Sequence, residues 1–297
     1  MKTLAAGLAA VIALTLSAQQ RAVVHVGSQP TGLAAGSGSL WSANSGEGTV
    51  SRISPAKRKV IATIEVGQAP SSVAAGGGAV WVGDFTANAL YRIDPATNHV
   101  VATVHLDGPA AGIARAPDGT VWVAEYGAGT VAHVDPATDA VVGRVTVGGQ
   151  AEALAFAQGR LWVTNGGGYV TAVDPADGKQ VAKVEISRDV DAIAATPQGL
   201  WATTYDAGIV ARIDPAKAKV VRKLRLRNGN ASGVTFARGS VWVSDAGLGR
   251  VVRINPKRGK ITRRYGVGAT PRDLVQVGRG LWVVEQGSND VRRIPLR

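Results

Sequence analysis

The sequence predicts an all-β chain folded as a seven-bladed β-propeller, and two recurring markers together with a strand count carry that prediction. Trp41, Trp81, Trp122, Trp162, Trp201, Trp242 and Trp282 follow one another at spacings of 40, 41, 40, 39, 41 and 40 residues. About 13 residues after each Trp comes a second marker: Ser54-Pro55, Asp94-Pro95, Asp135-Pro136, Asp174-Pro175, Asp214-Pro215, Asn255-Pro256 and Ile294-Pro295. Each unit also breaks into four short strand-like segments. Four strands in a unit of this length describe one propeller blade.

The elements follow in chain order. Met1-Lys2, the apolar run Leu4 to Leu16 and the small residues Ser17 and Ala18 read as a signal peptide, residues 1–18, which leaves 19–297 as a single domain. The apolar run is too short to span a bilayer comfortably. Ala22 to Gly27 matches the fourth-strand text Ile64-Glu65-Val66-Gly67. Because the last unit ends just after its third strand, this early segment is expected to complete blade seven and close the ring, removing an open edge. The unit Pro70 to Gly108 illustrates the rest, with strands near Ser72–Ala75, Val80–Gly83, Ala89–Ile93 and Val100–Leu106, each bounded by turn residues. In Asp94-Pro95-Ala96-Thr97 an Asx acceptor precedes a φ-locked Pro, which favours a type I turn. No stretch has sustained helical periodicity with caps.

Composition agrees with short buried strands and tight turns: 45% hydrophobic, 38 Gly and only 18% charged residues. There is no Cys, which excludes disulfides, thiolate metal ligands and a thiol nucleophile. The net charge of +12 is uneven. Residues 212–297 hold 20 of the 33 Lys and Arg but 5 of the 21 Asp and Glu.

The unit Pro70 to Gly108, together with Trp162-Val163-Thr164-Asn165, resembles the YVTN-type repeat, with Trp in place of the leading Tyr. The resemblance covers nearly the whole mature chain. It is similar both to YncE-like periplasmic or cell-surface propellers, which implies export and a binding role, and to the virginiamycin B lyase family, which implies metal-assisted ring opening of a cyclic peptide. Such repeats, like WD40 units, specify fold more strongly than function. The lyase family places a His at the start of an inner strand, and here those positions are Thr31, Ser71, Ala111, Glu152, Asp191, Ser232 and Arg272. The four His residues, His25, His99, His105 and His133, fall in outer-strand or turn text and read as surface or packed structure.

Candidate chemistry lies three residues past each Trp, at Asn44, Asp84, Glu125, Asn165, Thr204, Asp245 and Glu285. Sevenfold geometry is expected to gather these at one mouth of the central channel. There Asp84, Glu125, Asp245 and Glu285 could hold Ca²⁺ or Mg²⁺ through oxygen ligands, or attract a cationic ligand. The next residue is aromatic at Phe85, Tyr126 and Tyr205, suited to an ammonium, a guanidinium or a sugar ring. Arg272, near Glu285, and Asp191, near Glu152, add polar groups from the inner strands.

A basic rim is the second candidate: Lys223, Arg225 and Arg227 on one outer strand, and Lys257, Arg258, Lys260, Arg263 and Arg264 in the matching turn and strand of the next blade. Such cations protect sheet edges, and they also suit an anionic polymer, an envelope surface or nucleic acid. With little aromatic content beyond Tyr265, base stacking is disfavoured. The function expected is that of a periplasmic or secreted binding protein, with a small ligand or protein partner at the mouth and an anionic partner on the rim. The alternative is a divalent-metal-dependent lyase or hydrolase acting at the same mouth.

Overall fold

A computed structural model describes residues 22–296, so the leader expected at 1–18 lies outside the described residues. The chain forms seven four-stranded antiparallel sheets arranged in a ring. Blade one runs Pro30–Gly36, Ser39–Asn44, Thr49–Ser54 and Lys59–Glu65, from the innermost strand outward. Blades two to seven begin with the innermost strands Pro70–Gly76, Ala110–Arg115, Ala151–Ala157, Val190–Thr196, Ala231–Ala237 and Pro271–Val277. Among the described residues the only helical turns are two short 3₁₀ segments, Ala246–Leu248 and Gln286–Ser288. No helix there is long and apolar enough to cross a membrane.

The ring closes as expected. Val23–His25 pairs antiparallel with Asp290–Pro295 and supplies the outermost strand of blade seven, in the register Val24 opposite Val291. Backbone bonds from Val26 N to Asn289 O (3.0 Å) and from Arg293 N to Ala22 O (2.8 Å) extend the pairing, and Val24 is buried. An N-terminal strand therefore locks a C-terminal blade, and the ring has no loose seam where its ends meet.

Every Trp is essentially buried and packs between neighbouring sheets. Trp41, for example, clusters with Val80, Val82 and Ile93 of the next blade. The Asx-Pro turns carry the anticipated side-chain bonds, such as Ala96 N to Asp94 Oδ1 at 2.8 Å. They close one residue later than a type I turn: Asn98 N donates to Asp94 O at 2.8 Å, with Asn98 left-handed at φ 60°. The added residue gives the turn the twist its hairpin requires.

Antiparallel meandering puts two kinds of connection on each face. One face carries the loops between blades and the turns from second to third strand. The other carries the turns from first to second and from third to fourth strand. The first face holds the mouth of the channel.

Candidate functional site at the channel mouth

All seven innermost strands are irregular near their first residues, where the register shifts between, for instance, Pro30 and Leu33 or Ala151 and Leu154. A bulge re-aims side chains and frees backbone N–H groups. The second residues of these strands, Thr31 to Arg272, line a central cavity of about 570 Å³, with Phe85, Tyr126 and Gln286 at its rim. The third residues are small in six blades because adjacent strands nearly touch: a Cβ added at Gly112 would lie 2.2 Å from the Glu152 carbonyl oxygen. The seventh is Asp273.

The hydroxyls of this ring are engaged in joining blades. Thr31 Oγ1 donates to Ser71 O (2.9 Å) and Ser71 Oγ to Ala110 O (3.0 Å). The charged groups remain. Glu152 receives no hydrogen bond among the described residues, and burial, reinforced by Asp191 and Asp189, raises its pKa to about 8. Asp191 is raised mainly by burial, although Arg272 and a hydrogen bond from Ser232 oppose the shift. Asp273 is raised to about 6 by burial even though Leu33 N (3.0 Å) and Leu274 N (2.8 Å) donate to it. These side chains touch the channel space but are backed on every other side by packed strands, so they are partly accessible and poorly solvated.

Two aromatic arrangements complete the mouth. Phe85 and Tyr126 stand 5.4 Å apart at a tilt, with Phe85 well exposed. Burial first, then Glu152 and Asp189, raise the Tyr126 phenol. Across the channel the Arg272 guanidinium lies 5.0 Å from the Tyr205 ring centroid, and its Nε donates to Gln286 Oε1 at 2.8 Å. Phe85, Tyr126, Tyr205 and Arg272 are thus brought together as expected.

Asp84, Glu125, Asp245 and Glu285 are not at the mouth. All four are fully buried under the loops that join blades. Asp84 accepts bonds from four backbone N–H groups, Gln68, Ala69, Thr86 and Ala87, at 2.7–3.0 Å. Glu125 accepts from Asp107 N and Thr130 Oγ1 and faces Arg144. Asp245 accepts from Asn230 N and pairs with Arg250 at 2.6 Å, while Glu285 accepts from Gly268 N and pairs with Arg292 at 2.5 Å. Each is saturated by donors of its own locality, so the four do not converge on a shared cation. No group of three or more His, Asp or Glu side chains gathers at metal-binding separations among the described residues.

Glu152 and Asp191 were visible as polar inner-strand residues, whereas Asp273 was missed. Its signal was an acid at a repeat position that is otherwise Gly32, Ser72, Gly112, Ala153, Ala192 and Gly233. No His lines the channel; His25, His99 and His105 are exposed, and His133 stacks on Trp122 at 4.2 Å. The eight rim cations, Lys223, Arg225, Arg227, Lys257, Arg258, Lys260, Arg263 and Arg264, are all exposed on blades five and six.

Comparison with solved structures agrees with this geometry. Virginiamycin B lyase from Staphylococcus aureus superposes with a TM-score of 0.82 over 93% of this chain and 99% of that one, at 15% identity. The chain is a seven-bladed β-propeller. A streptogramin B lyase structure matches the propeller with a TM-score of 0.81 at 13% identity, covering 93% of this chain and 98% of that one. Kuenenia stuttgartiensis hydrazine synthase matches at 0.81 and 17%, covering 90% and 95%. A glutamine cyclotransferase family model matches residues 87–233, just under half of the 297-residue chain. No curated protein matches it. At these identities the likeness establishes the fold.

Proposed function

We propose that this propeller is a binding protein whose channel mouth receives a small molecule carrying an ammonium or guanidinium group. One observation carries the reading: Glu152, without a hydrogen-bond partner, lines with Asp191 and the Phe85–Tyr126 pair a cavity of about 570 Å³, a size suited to a small ligand. A cation there gains a carboxylate and aromatic faces in a poorly solvated setting. Its arrival returns Glu152 to the ionised form. The leader-like residues 1–18 support an exported location, periplasmic or secreted, and the exposed rim cations support docking to an anionic polymer or envelope surface.

The test is a thermal-shift titration at pH 7 with spermidine, argininamide and tetramethylammonium. A saturable rise in melting temperature with at least one of them, lost in Glu152→Gln, is expected. No shift with any of the three, or an equal shift in Glu152→Gln, would contradict the reading.

A second reading, an enzyme moving a proton at the same mouth, is favoured by one property. A carboxyl with a pKa of about 8 can donate or accept a proton near neutrality. The lyases it resembles in shape and the partial match to a glutamine cyclotransferase model give two substrate classes to assay, streptogramin B antibiotics and glutaminyl peptides. Turnover of either that falls with Glu152→Gln at unchanged melting temperature would put this reading first.

A further inference from the structure

The charges that line the channel are of both signs. Around the cavity of about 570 Å³ stand three acids, Glu152, Asp191 and Asp273, and one cation, Arg272. Thr31 and Ser71, at the same repeat position as Arg272, are spent in joining blades. A cation there is a departure that the ring itself does not require.

Arg272 is held in place but not neutralised. Its side chain reaches from blade seven to the Tyr205 ring of blade five, with the guanidinium carbon 5.0 Å from the ring centroid. Blade six has only Ser232 and Ala246 at the matching positions, small residues that a long side chain can pass. Nε donates to Gln286 Oε1 at 2.8 Å, and Gln286 is fixed in turn by its own N–H, which donates to Thr270 O at 3.1 Å. One edge of the guanidinium is thus tethered and one face covered. Its terminal nitrogens have neither a hydrogen bond nor an ion pair among the described residues, and neither is buried. Asp191 feels the positive charge, which opposes the rise in its pKa caused by burial, yet makes no ion pair with it. A guanidinium fixed at Nε with both end nitrogens open is a preformed fork for a carboxylate. Little side-chain freedom is left to lose when a ligand arrives.

Glu152 supplies the complementary half. It too lacks a hydrogen-bond partner among the described residues, and its oxygens are open to the channel. Asp191 and Asp189 shift Glu152, whereas Arg272 does not, so the unpaired acid and the unpaired cation stand apart with Asp191 between them.

We infer that the mouth binds a free amino acid, a zwitterion whose ammonium or guanidinium lies against Glu152 and Asp191 and whose carboxylate is held by the end nitrogens of Arg272. This rests on the cation reading above and adds the second charged group of the ligand. A ligand with a cation alone would leave Arg272 facing like charge in a poorly solvated cavity, and a carboxylate on the same molecule offsets that repulsion. The three acids disfavour a purely anionic ligand.

The probes are arginine and argininamide, which share the guanidinium and the α-amine and differ in the carboxylate. They are titrated calorimetrically at pH 7 into wild type, Arg272→Gln and Glu152→Gln. Wild type is expected to bind arginine at least about tenfold more tightly than argininamide. Arg272→Gln is expected to abolish that preference by weakening arginine while argininamide binds as well as before or better, because a repelling cation has gone. A general disturbance of the fold would weaken both. Glu152→Gln is expected to weaken both probes by removing the cation's partner. Equal affinity of wild type for the two probes, or a preference that survives Arg272→Gln, would overturn the carboxylate subsite and leave the cation reading standing. Failure of both probes to bind wild type would overturn the two together. If Arg272→Gln does not fold, Gln286→Ala, which releases the tethered edge of the guanidinium, takes its place. It is expected to narrow the preference at least about threefold, and an unchanged preference would overturn the subsite.

Discussion

Two sets of acids lie at the same face of the propeller and have opposite surroundings. Asp84, Glu125, Asp245 and Glu285 sit under the loops between blades, each supplied with N–H, hydroxyl or guanidinium donors. Glu152, Asp191 and Asp273 face the channel, where donors are few and burial raises their pKa. The first set holds blades together. The second is held by the blades in poorly solvated surroundings that favour the protonated form. A carboxylate's role here follows from its donors, not from its closeness to the mouth.

The contrast breaks most sharply in the first set. Glu285→Ala leaves the partly buried Arg292 beside an empty partner position and removes the acceptor of Gly268 N, so a loss of about 2–3 kcal/mol in chemical denaturation is expected. A loss below 1 kcal/mol would mean that the pair is solvated and the distinction false.

The channel set should respond to pH instead. Folded Glu152 keeps its proton up to about pH 8, whereas an exposed Glu loses it near pH ~4.3, so the folded state binds more protons across that window. Stability therefore falls as pH rises through the window. Glu152→Gln is expected to flatten the fall in melting temperature between pH 5 and pH 8 and to raise the melting temperature at pH 8. Asp273→Asn should act in the same sense over a narrower range, because Asp273 titrates at about 6, while weakening the bond to Leu33 N that ties blade seven to blade one. An unchanged pH profile in both variants would remove the distinction between the two sets.

The smallest stability effects belong to the rim. Arg225→Ala and Arg264→Ala are exposed substitutions expected to change stability by no more than about 0.5 kcal/mol. Retention on a heparin column should nevertheless fall, with a shallower dependence on salt.

The fold was legible because its signals are local. A Trp every 40 residues and an Asx-Pro turn in step with it dictate strands, turns and packing blade by blade, and even the closing strand near Val24 could be matched to its repeat text. The site was half legible. Phe85, Tyr126 and Arg272 line the cavity at the mouth, where residue type and repeat position together put them, and Tyr205 meets it only through Arg272. Asp84, Glu125, Asp245 and Glu285 were misplaced, because whether a carboxylate at the end of a second strand turns to the channel or to the loop above it depends on donors from the preceding blade. In this chain the residues that keep the repeat serve the ring. Those that depart from it, Glu152, Asp191, Arg272 and Asp273, furnish the cavity.

The most direct measurement on the mouth is isothermal titration at pH 7 in buffers of different ionisation enthalpy, using whichever cation gives the largest thermal shift. With its pKa raised to about 8, Glu152 is largely protonated at that pH, so binding should release protons in the wild type and clearly fewer in Glu152→Gln. Binding heats that do not depend on the buffer, or proton release undiminished in Glu152→Gln, would contradict a ligand site built on Glu152.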